Sequence, residues 1–135
     1  MSRRMMLRQL LCSAGLLGGL LISTAALAEL PSSDAAVIKK ALASGKPTMV
    51  DVGARSCATC RKMAPILETL SGEYRGRAHV LFVDLNEHYD TGKNLGIRMI
   101  PTQIFFDAQG RENSRHIGFM DKAEIMQALK LLGAK

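Results

Sequence analysis

The chain has 135 residues, of which 47% are hydrophobic and 22% are charged. This length accommodates one domain with one core, and the composition excludes a disordered or collagen-like chain. Three of the 18 basic residues precede residue 28 and all 12 acidic residues follow it, which leaves 15 basic against 12 acidic residues in the body. That small surplus, together with an aromatic content of 4%, argues against a nucleic-acid-binding protein.

Residues 1–28 have the pattern of a secretory signal peptide. Three arginines among the first eight residues precede an apolar stretch over residues 10–22. Residues 26–28 then read ALA, which matches an A-x-A cleavage site. We therefore expect a periplasmic protein whose mature domain spans residues 29–135.

The same segment leaves two alternatives open. The apolar stretch is short and interrupted by glycines, so an uncleaved membrane anchor is the alternative to cleavage. Residues 2–8 read SRRMMLR and are similar to a twin-arginine export signal, which is the alternative to the general secretory route. Cys12 follows Leu11, where a lipoprotein signal has a small residue, and we interpret it as part of the apolar stretch.

Beyond the leader, hydrophobic periodicity, caps and turn residues predict the order α-β-α-β-α-β-β-α. A βαβ unit makes parallel strands and a hairpin adds antiparallel ones, so we expect an α/β fold with a mixed four-stranded sheet and helices on both faces. The predicted elements are a helix between residues 31–34 and Gly45, a strand at 48–52, a helix at 57–71, a strand at 80–83, a short helix within 86–93, a hairpin of residues 103–106 and 111–117, and a helix from Asp121.

Asp51 is anomalous within the first predicted strand. It lies in a continuous apolar run, which is typical of a strand that is covered on both faces. A lone carboxylate in such a strand is expected to have a raised pKa or to find a partner, because burial disfavours its charged form.

After residue 28 the chain has two cysteines, in a CATC motif at residues 57–60, where a predicted strand ends and a predicted helix begins. The free N–H groups and the dipole of a helix N-terminus stabilise a thiolate, so Cys57 is the candidate nucleophile. Cys60 lies one turn later and can resolve a mixed disulfide. Arg55 and Arg61 either add positive potential to this site or are solvated side chains.

Two other interpretations of the cysteine pair remain open. A structural disulfide would close a very small loop and stabilise the fold little. A structural zinc site needs four ligands, and neither a second CxxC nor an HxxxH motif is present, so no metal is expected. Copper held by two thiolates and Met63, Met99 or Met120 is conceivable, although methionines at helical spacing usually belong to a core.

Three separated segments carry a resemblance to the thioredoxin family. Residues 50–67 read VDVGARSCATCRKMAPIL and resemble the active-site strand and helix of thioredoxin. Residues 96–102 read GIRMIPT and are similar to its G-I-R-x-I-P-T segment, and Gly118 matches the glycine after its last strand. The resemblance covers nearly all of residues 34–132, with the three segments in the family's order.

This resemblance implies a role for five residues. Cys57 matches the nucleophile, Cys60 the resolving cysteine, and Asp51 the buried acid that assists proton transfer at the second cysteine. Pro101 matches the cis-proline that faces the disulfide, and Ile100 the residue whose backbone pairs with a bound substrate chain. The family's chemistry needs no cofactor beyond the redox-active Cys57–Cys60 disulfide.

Several positions depart from the family pattern. Ser56 replaces a tryptophan, and Ala58 and Thr59 replace the Gly-Pro pair that helps to set the redox potential. The lysine that accompanies the buried acid is replaced, and Val80 occupies the matching position. The family's first strand is missing or reduced to a few residues around Leu30.

We interpret the sequence as that of a monomeric periplasmic thiol–disulfide oxidoreductase that reduces disulfides of exported proteins. Its electrons are expected from a membrane thiol–disulfide transporter. The alternatives are an oxidant that forms disulfides, although such relatives carry a helical insertion that is absent here, and a metal-binding chaperone that uses the CxxC motif. A reduction potential separates the first two, and metal titration of the reduced protein tests the third.

Overall fold

A computed structural model of the chain describes residues 29–135. The predicted signal peptide at residues 1–28, with its cleavage site and Cys12, lies outside the described residues. Within the described range, helices and strands follow one another in the predicted order. They are α1 (Ala35–Leu42), β1 (Thr48–Gly53), α2 (Ala58–Glu73), β2 (His79–Asp84), α3 (Tyr89–Asn94), β3 (Thr102–Phe106), β4 (Glu112–Ile117) and α4 (Lys122–Leu131).

The four strands form one mixed sheet in the order β2-β1-β3-β4. β1 runs parallel to β2, because α2 connects them as a crossover, and antiparallel to β3. β3 and β4 form the predicted antiparallel hairpin. The expected first strand is reduced to a single parallel bridge between Ser32 and Phe82. The predicted fold class is therefore confirmed.

Side chains of the central strands alternate between two hydrophobic clusters, one on each face of the sheet. Met49 and Phe105 pack on one face with apolar residues of α2 and α4, including Leu67 and Ile125. Val50, Val52 and Ile104 pack on the other face, and Ile38 of α1 covers them. Every residue of β1 is buried, which explains why its sequence is largely apolar on both faces.

Aspartate side chains cap α1 and α4 at the positions that the sequence indicates. Asp34 accepts a hydrogen bond from the N–H of Val37 at 2.9 Å and caps α1. Asp121 and Glu124 form a complete capping box at the start of α4. In residues 29–135 no helix combines the length and the apolar character that a membrane crossing requires.

Candidate active site

The candidate site lies at the sheet edge where β1 ends and β3 begins. Val52 of β1 is opposite Thr102 of β3, and the two strands are antiparallel. The loop that leads from β1 into α2 and the segment that precedes β3 therefore meet at the same edge. This topology brings the cysteine motif of residues 57–60 close to the segment that contains Ile100 and Pro101.

Cys57 is the N-cap residue of α2, as the sequence predicts. Its Sγ accepts a hydrogen bond from the backbone N–H of Cys60 at 3.3 Å, and its side chain is half-buried. A hydrogen bond with the Cys60 side chain lowers the pKa of Cys57, and the N–H groups of Cys60 and Thr59 and the charge of Arg61 act in the same direction. Cys57 is therefore the thiol that more readily becomes a thiolate.

Cys60 is buried within the first turn of α2, with 4% of its surface exposed. Burial raises its pKa to about 12, and the hydrogen bond that it shares with Cys57 adds to the shift. Gly53 makes room for this thiol, because a Cβ atom at that position would lie 3.0 Å from the Cys60 Sγ. The two free thiols of the motif therefore differ strongly in acidity although they are one helical turn apart.

Asp51 lies in the middle of β1 and is fully buried on the face that α2 covers. Burial raises its pKa to about 6, and a hydrogen bond from the Gln103 side chain opposes the shift. The Nε2 of Gln103 donates to the Asp51 Oδ1 at 2.8 Å. The expectation of a raised pKa is confirmed. Val80 is paired with Met49, and the β2 residue opposite Asp51 is Phe82.

Arg55 is neither a solvated side chain nor a residue whose charge is directed at the cysteines. It pairs with Asp84, the last residue of β2, at 3.2 Å and with Glu87 in the loop that follows. It also pairs with Glu29 at 3.1 Å and donates to the carbonyl of Leu30 at 2.9 Å. Arg55 therefore ties the active-site loop to the end of β2 and to the segment that precedes α1.

Pro101 is buried at the start of β3, and the Ile100–Pro101 peptide bond is cis. Its carbonyl accepts a hydrogen bond from the N–H of Gly118 at 2.8 Å, which holds the segment after β4 against it. Met99, which precedes Ile100, is 62% exposed, and Phe119, which follows Gly118, is 45% exposed. An apolar surface therefore borders the proline segment.

Ile100 itself is half-buried. Within residues 29–135, neither its N–H nor its carbonyl takes part in a backbone hydrogen bond outside the regular elements. Its main chain is consequently available to pair with an extended polypeptide.

The metal-binding alternative would combine the cysteine pair with one of three methionines. In the described part of the chain, no three His, Cys, Asp or Glu side chains are grouped so that they could hold a metal ion. Met63 is fully buried, and its Sδ accepts a hydrogen bond from the backbone N–H of Met120 at 3.5 Å. Met99 is on the exposed surface beside the proline segment.

Sequence reasoning missed Gln103 as a site residue. The signal was present, because Gln103 is a polar residue with a long side chain in a largely apolar strand, and Asp51 has a similar place in β1. What sequence alone does not supply is the register that places these two polar residues opposite each other.

Comparisons with known proteins agree with this geometry. The sequence model of the thioredoxin family matches residues 31–131. A thioredoxin from Acidithiobacillus ferridurans is 37% identical over 84 residues, which cover 62% of this chain and 77% of that protein. A thioredoxin from Rickettsia conorii is 32% identical over 93 residues, which cover 69% of this chain and 88% of that protein.

A solved structure extends the likeness to three dimensions. Chloroplastic thioredoxin z superposes with a TM-score of 0.67 at 28% sequence identity, and the match covers 80% of this chain and 97% of the other. The match of the family model spans well over half of the chain and includes both cysteines of the motif and the proline segment. The chain therefore belongs to the thioredoxin family of thiol–disulfide oxidoreductases.

Proposed function

We propose that this protein is a periplasmic reductant, which transfers two electrons from the Cys57–Cys60 dithiol to disulfide bonds of exported proteins. The observation that carries the proposal is the opposite shift of the two thiols. The pKa of Cys57 is lowered at the helix N-terminus, whereas burial raises the pKa of Cys60 to about 12. Cys57 is therefore suited to attack a substrate disulfide, and Cys60 stays protonated until it attacks the mixed disulfide.

The first step is attack by the Cys57 thiolate on one sulfur of a substrate disulfide. A bond forms between the Cys57 Sγ and that sulfur, and the substrate S–S bond breaks. The other substrate sulfur leaves as a thiolate and takes a proton from solvent. The helix N-terminus favours this step, because its N–H groups stabilise the attacking thiolate.

The second step resolves the mixed disulfide. Asp51 takes the proton from Cys60, and the resulting thiolate attacks the Cys57 Sγ. The Cys57–Cys60 bond forms, the S–S bond between Cys57 and the substrate breaks, and the substrate sulfur leaves as a thiolate. Both substrate sulfurs are then reduced, and the protein is left oxidised by two electrons. With a pKa of about 6, the Asp51 carboxyl is largely ionised at neutral pH and can accept that proton.

The substrate that best fits the surface is an extended polypeptide. The free main chain of Ile100 beside the buried Pro101 suits pairing with an extended segment. The exposed apolar side chains of Met99 and Phe119 suit contact with apolar residues next to a substrate cysteine. We infer that the protein acts as a monomer on such segments.

The export part of the proposal is supported by the pattern of residues 1–28. The oxidised protein outside the cytoplasm needs a fresh supply of electrons, and a membrane thiol–disulfide transporter is the donor we propose. Mass spectrometry of the protein from its own cells should find a mature chain that begins at Glu29. An intact leader on the exported protein would show that the leader is not cleaved and would favour a membrane anchor. A chain retained in the cytoplasm would contradict the proposed periplasmic location.

The reduction potential decides the direction of electron flow. Equilibration of the purified protein with glutathione at defined ratios, followed by alkylation and mass measurement, gives the potential of the Cys57–Cys60 couple. A reductant is expected at roughly −270 mV, as in thioredoxin, whereas a strong oxidant is expected at about −120 mV. A value near the second figure would contradict the proposed function.

A further inference from the structure

Asp51 and Gln103 form an isolated polar pair inside the sheet. They are directly opposite each other on antiparallel strands, and the amide Nε2 donates to the carboxyl Oδ1 at 2.8 Å. Neither side chain has any exposed surface. A buried amide destabilises a fold unless it is hydrogen-bonded, so this contact is what offsets the burial of Gln103.

Each member of the pair has a second polar atom that is unused. The Oδ2 of Asp51 and the Oε1 of Gln103 are buried and have no hydrogen-bond partner in the described part of the chain. An amide carries a donor group and an acceptor group of nearly the same shape at its end. A half-turn about the last side-chain torsion of Gln103 therefore brings its oxygen to the position that its nitrogen now occupies, against the Asp51 Oδ1.

These two orientations match the two protonation states of the carboxyl. The amide nitrogen donates to the ionised carboxylate, as the structure shows. After proton uptake, the carboxylic acid becomes a donor, and the amide oxygen can accept from it. Gln103 can thus satisfy Asp51 before and after the proton transfer, which an apolar residue at the same position cannot do.

We propose that Gln103 is a positioning residue, whose amide orients the Asp51 carboxyl in both of its protonation states for proton exchange with Cys60. The use of that proton in resolving a mixed disulfide rests on the proposed function, whereas the pairing itself does not. Gln103 touches neither substrate nor a reacting sulfur in this scheme, and it acts through Asp51.

The surroundings of the pair leave few other groups that could control this carboxyl. The facing titratable group is Cys60 on α2, and the charge of Asp51 helps to raise the pKa of that thiol. Phe82 is its neighbour on β2 and has no charge, and Gln103 is its neighbour on β3. A titration of Asp51 should therefore report on Cys60 and Gln103 rather than on a distant ion pair.

The first test uses the unmodified protein in its reduced form. Nuclear magnetic resonance follows the Asp51 carboxyl carbon and the Gln103 side-chain amide from pH 4 to pH 9. Both signals are expected to titrate with one shared midpoint near pH 6, since the amide exchanges its role when the carboxyl gains a proton. An amide signal that does not change while the carboxyl titrates would overturn the proposal.

The second test replaces the amide with an apolar side chain of similar length, Gln103→Met. Loss of a hydrogen bond to the charged form should raise the midpoint of Asp51 by about one to two pH units. Resolution of a preformed mixed disulfide should then be about tenfold slower at pH 6 and should reach the rate of the unmodified protein at about pH 9. An unchanged midpoint and an unchanged pH profile would overturn the proposal.

Two controls separate positioning from a general disturbance of the sheet. Thr48→Val removes another fully buried polar group from the same strand as Asp51, and it should leave the midpoint where it is. In an Asp51→Asn background, Gln103→Met should cause no further slowing, because the group through which Gln103 acts is gone. Additive slowing of resolution in the double variant would show that Gln103 acts by another route and would contradict the proposal.

The two hypotheses fail in different ways. If the unmodified protein does not reduce disulfides, the proposed function fails, but the shared titration of Asp51 and Gln103 still decides the positioning role. If the protein reduces disulfides and the two signals titrate independently, the positioning role fails and the proposed function stands.

Discussion

The backbone N–H of Cys60 donates to the Sγ of Cys57 across 3.3 Å. The first cysteine is thus the N-cap of the helix in which the second cysteine is buried. A thiolate at this position accepts the hydrogen bond more strongly than a thiol does, so the local fold of the helix start favours ionisation of the sulfur that attacks first. The resolving sulfur is buried instead, and burial raises its pKa to about 12.

The two thiols of the reduced protein should therefore differ in reactivity. Iodoacetamide at pH 6–7 is expected to alkylate Cys57 well before Cys60, because the pKa of Cys57 is lowered and that of Cys60 is raised to about 12. Peptide mapping by mass spectrometry measures the ratio. Preferential labelling of Cys60 would reverse the assignment of nucleophile and resolving cysteine.

Serine variants test the same order of events during turnover. Cys57→Ser should abolish disulfide reduction, since no thiolate remains at the helix N-terminus. Cys60→Ser should still attack a substrate disulfide but not release it, so mixed disulfides with Cys57 should accumulate. Non-reducing electrophoresis after an acid quench detects them, and equal behaviour of the two variants would contradict the assigned roles.

Asp51→Asn should stabilise the fold at alkaline pH. The folded-state pKa of Asp51 is raised from 3.8 to about 6, so the folded state binds the proton more tightly than the unfolded state. The stability linked to this proton is present below pH 4 and is lost as the pH rises through 6. A shift of about two units corresponds to about 3 kcal/mol, which the asparagine variant should regain at pH 8.

Urea unfolding of both proteins at pH 4 and pH 8, under reducing conditions, measures this difference. Other titrating groups are common to the two proteins and cancel in the comparison. The variant should also resolve mixed disulfides more slowly than the unmodified protein above pH 6, where Asp51 is ionised and Cys60 is still protonated. An equal gain in unfolding free energy at both pH values would show that the charge of Asp51 does not destabilise the fold.

Arg55→Met should loosen the loop that carries the cysteine motif. The variant keeps a long apolar stem but leaves the Asp84 carboxylate, which is 4% exposed, without its guanidinium partner. Loss of this charged hydrogen bond should cost about 2 kcal/mol of unfolding free energy, whereas the exposed pairs with Glu29 and Glu87 contribute little. Denaturant unfolding at low and moderate salt measures the change.

A matched control for that variant is Arg75→Met. Arg75 is exposed after the end of α2, and its side chain forms no ion pair within residues 29–135. Its replacement should change the unfolding free energy by less than about 0.5 kcal/mol. Similar losses in the two variants would show that the Arg55 network does not stabilise the active-site loop.

The apolar surface beside the proline segment should affect substrate binding more than chemistry. Met99→Ser and Phe119→Ser remove exposed apolar groups that border Pro101, so KM for a peptide disulfide should rise several-fold while kcat changes little. Steady-state kinetics with a fluorescent peptide disulfide measures both constants. Leu131→Ser removes an even more exposed apolar group from the end of α4 and should leave both constants unchanged.

Local signals in the sequence were enough to predict the helices and strands and to place the cysteine pair at the start of a helix. The apolar run around Asp51 predicted a strand covered on both faces, and the motif at its end predicted a helix that begins beside Cys57. Capping at Asp34 and at Asp121 was also readable, because a cap and its partner are only three residues apart. Such features depend on neighbours along the chain, so the sequence expresses them directly.

The partners of the buried and charged groups were decided by the tertiary structure. Gln103 and Asp51 are 52 positions apart, and their contact follows from the register of β1 and β3 rather than from any local pattern. Arg55 precedes Cys57 by two positions, yet its guanidinium forms an ion pair with Asp84, 29 positions away, and a hydrogen bond with the segment before α1. A polar side chain in a folded protein bonds to whatever group the packing brings within reach, so the sequence determined the site's nucleophile and the fold determined how its acid is held.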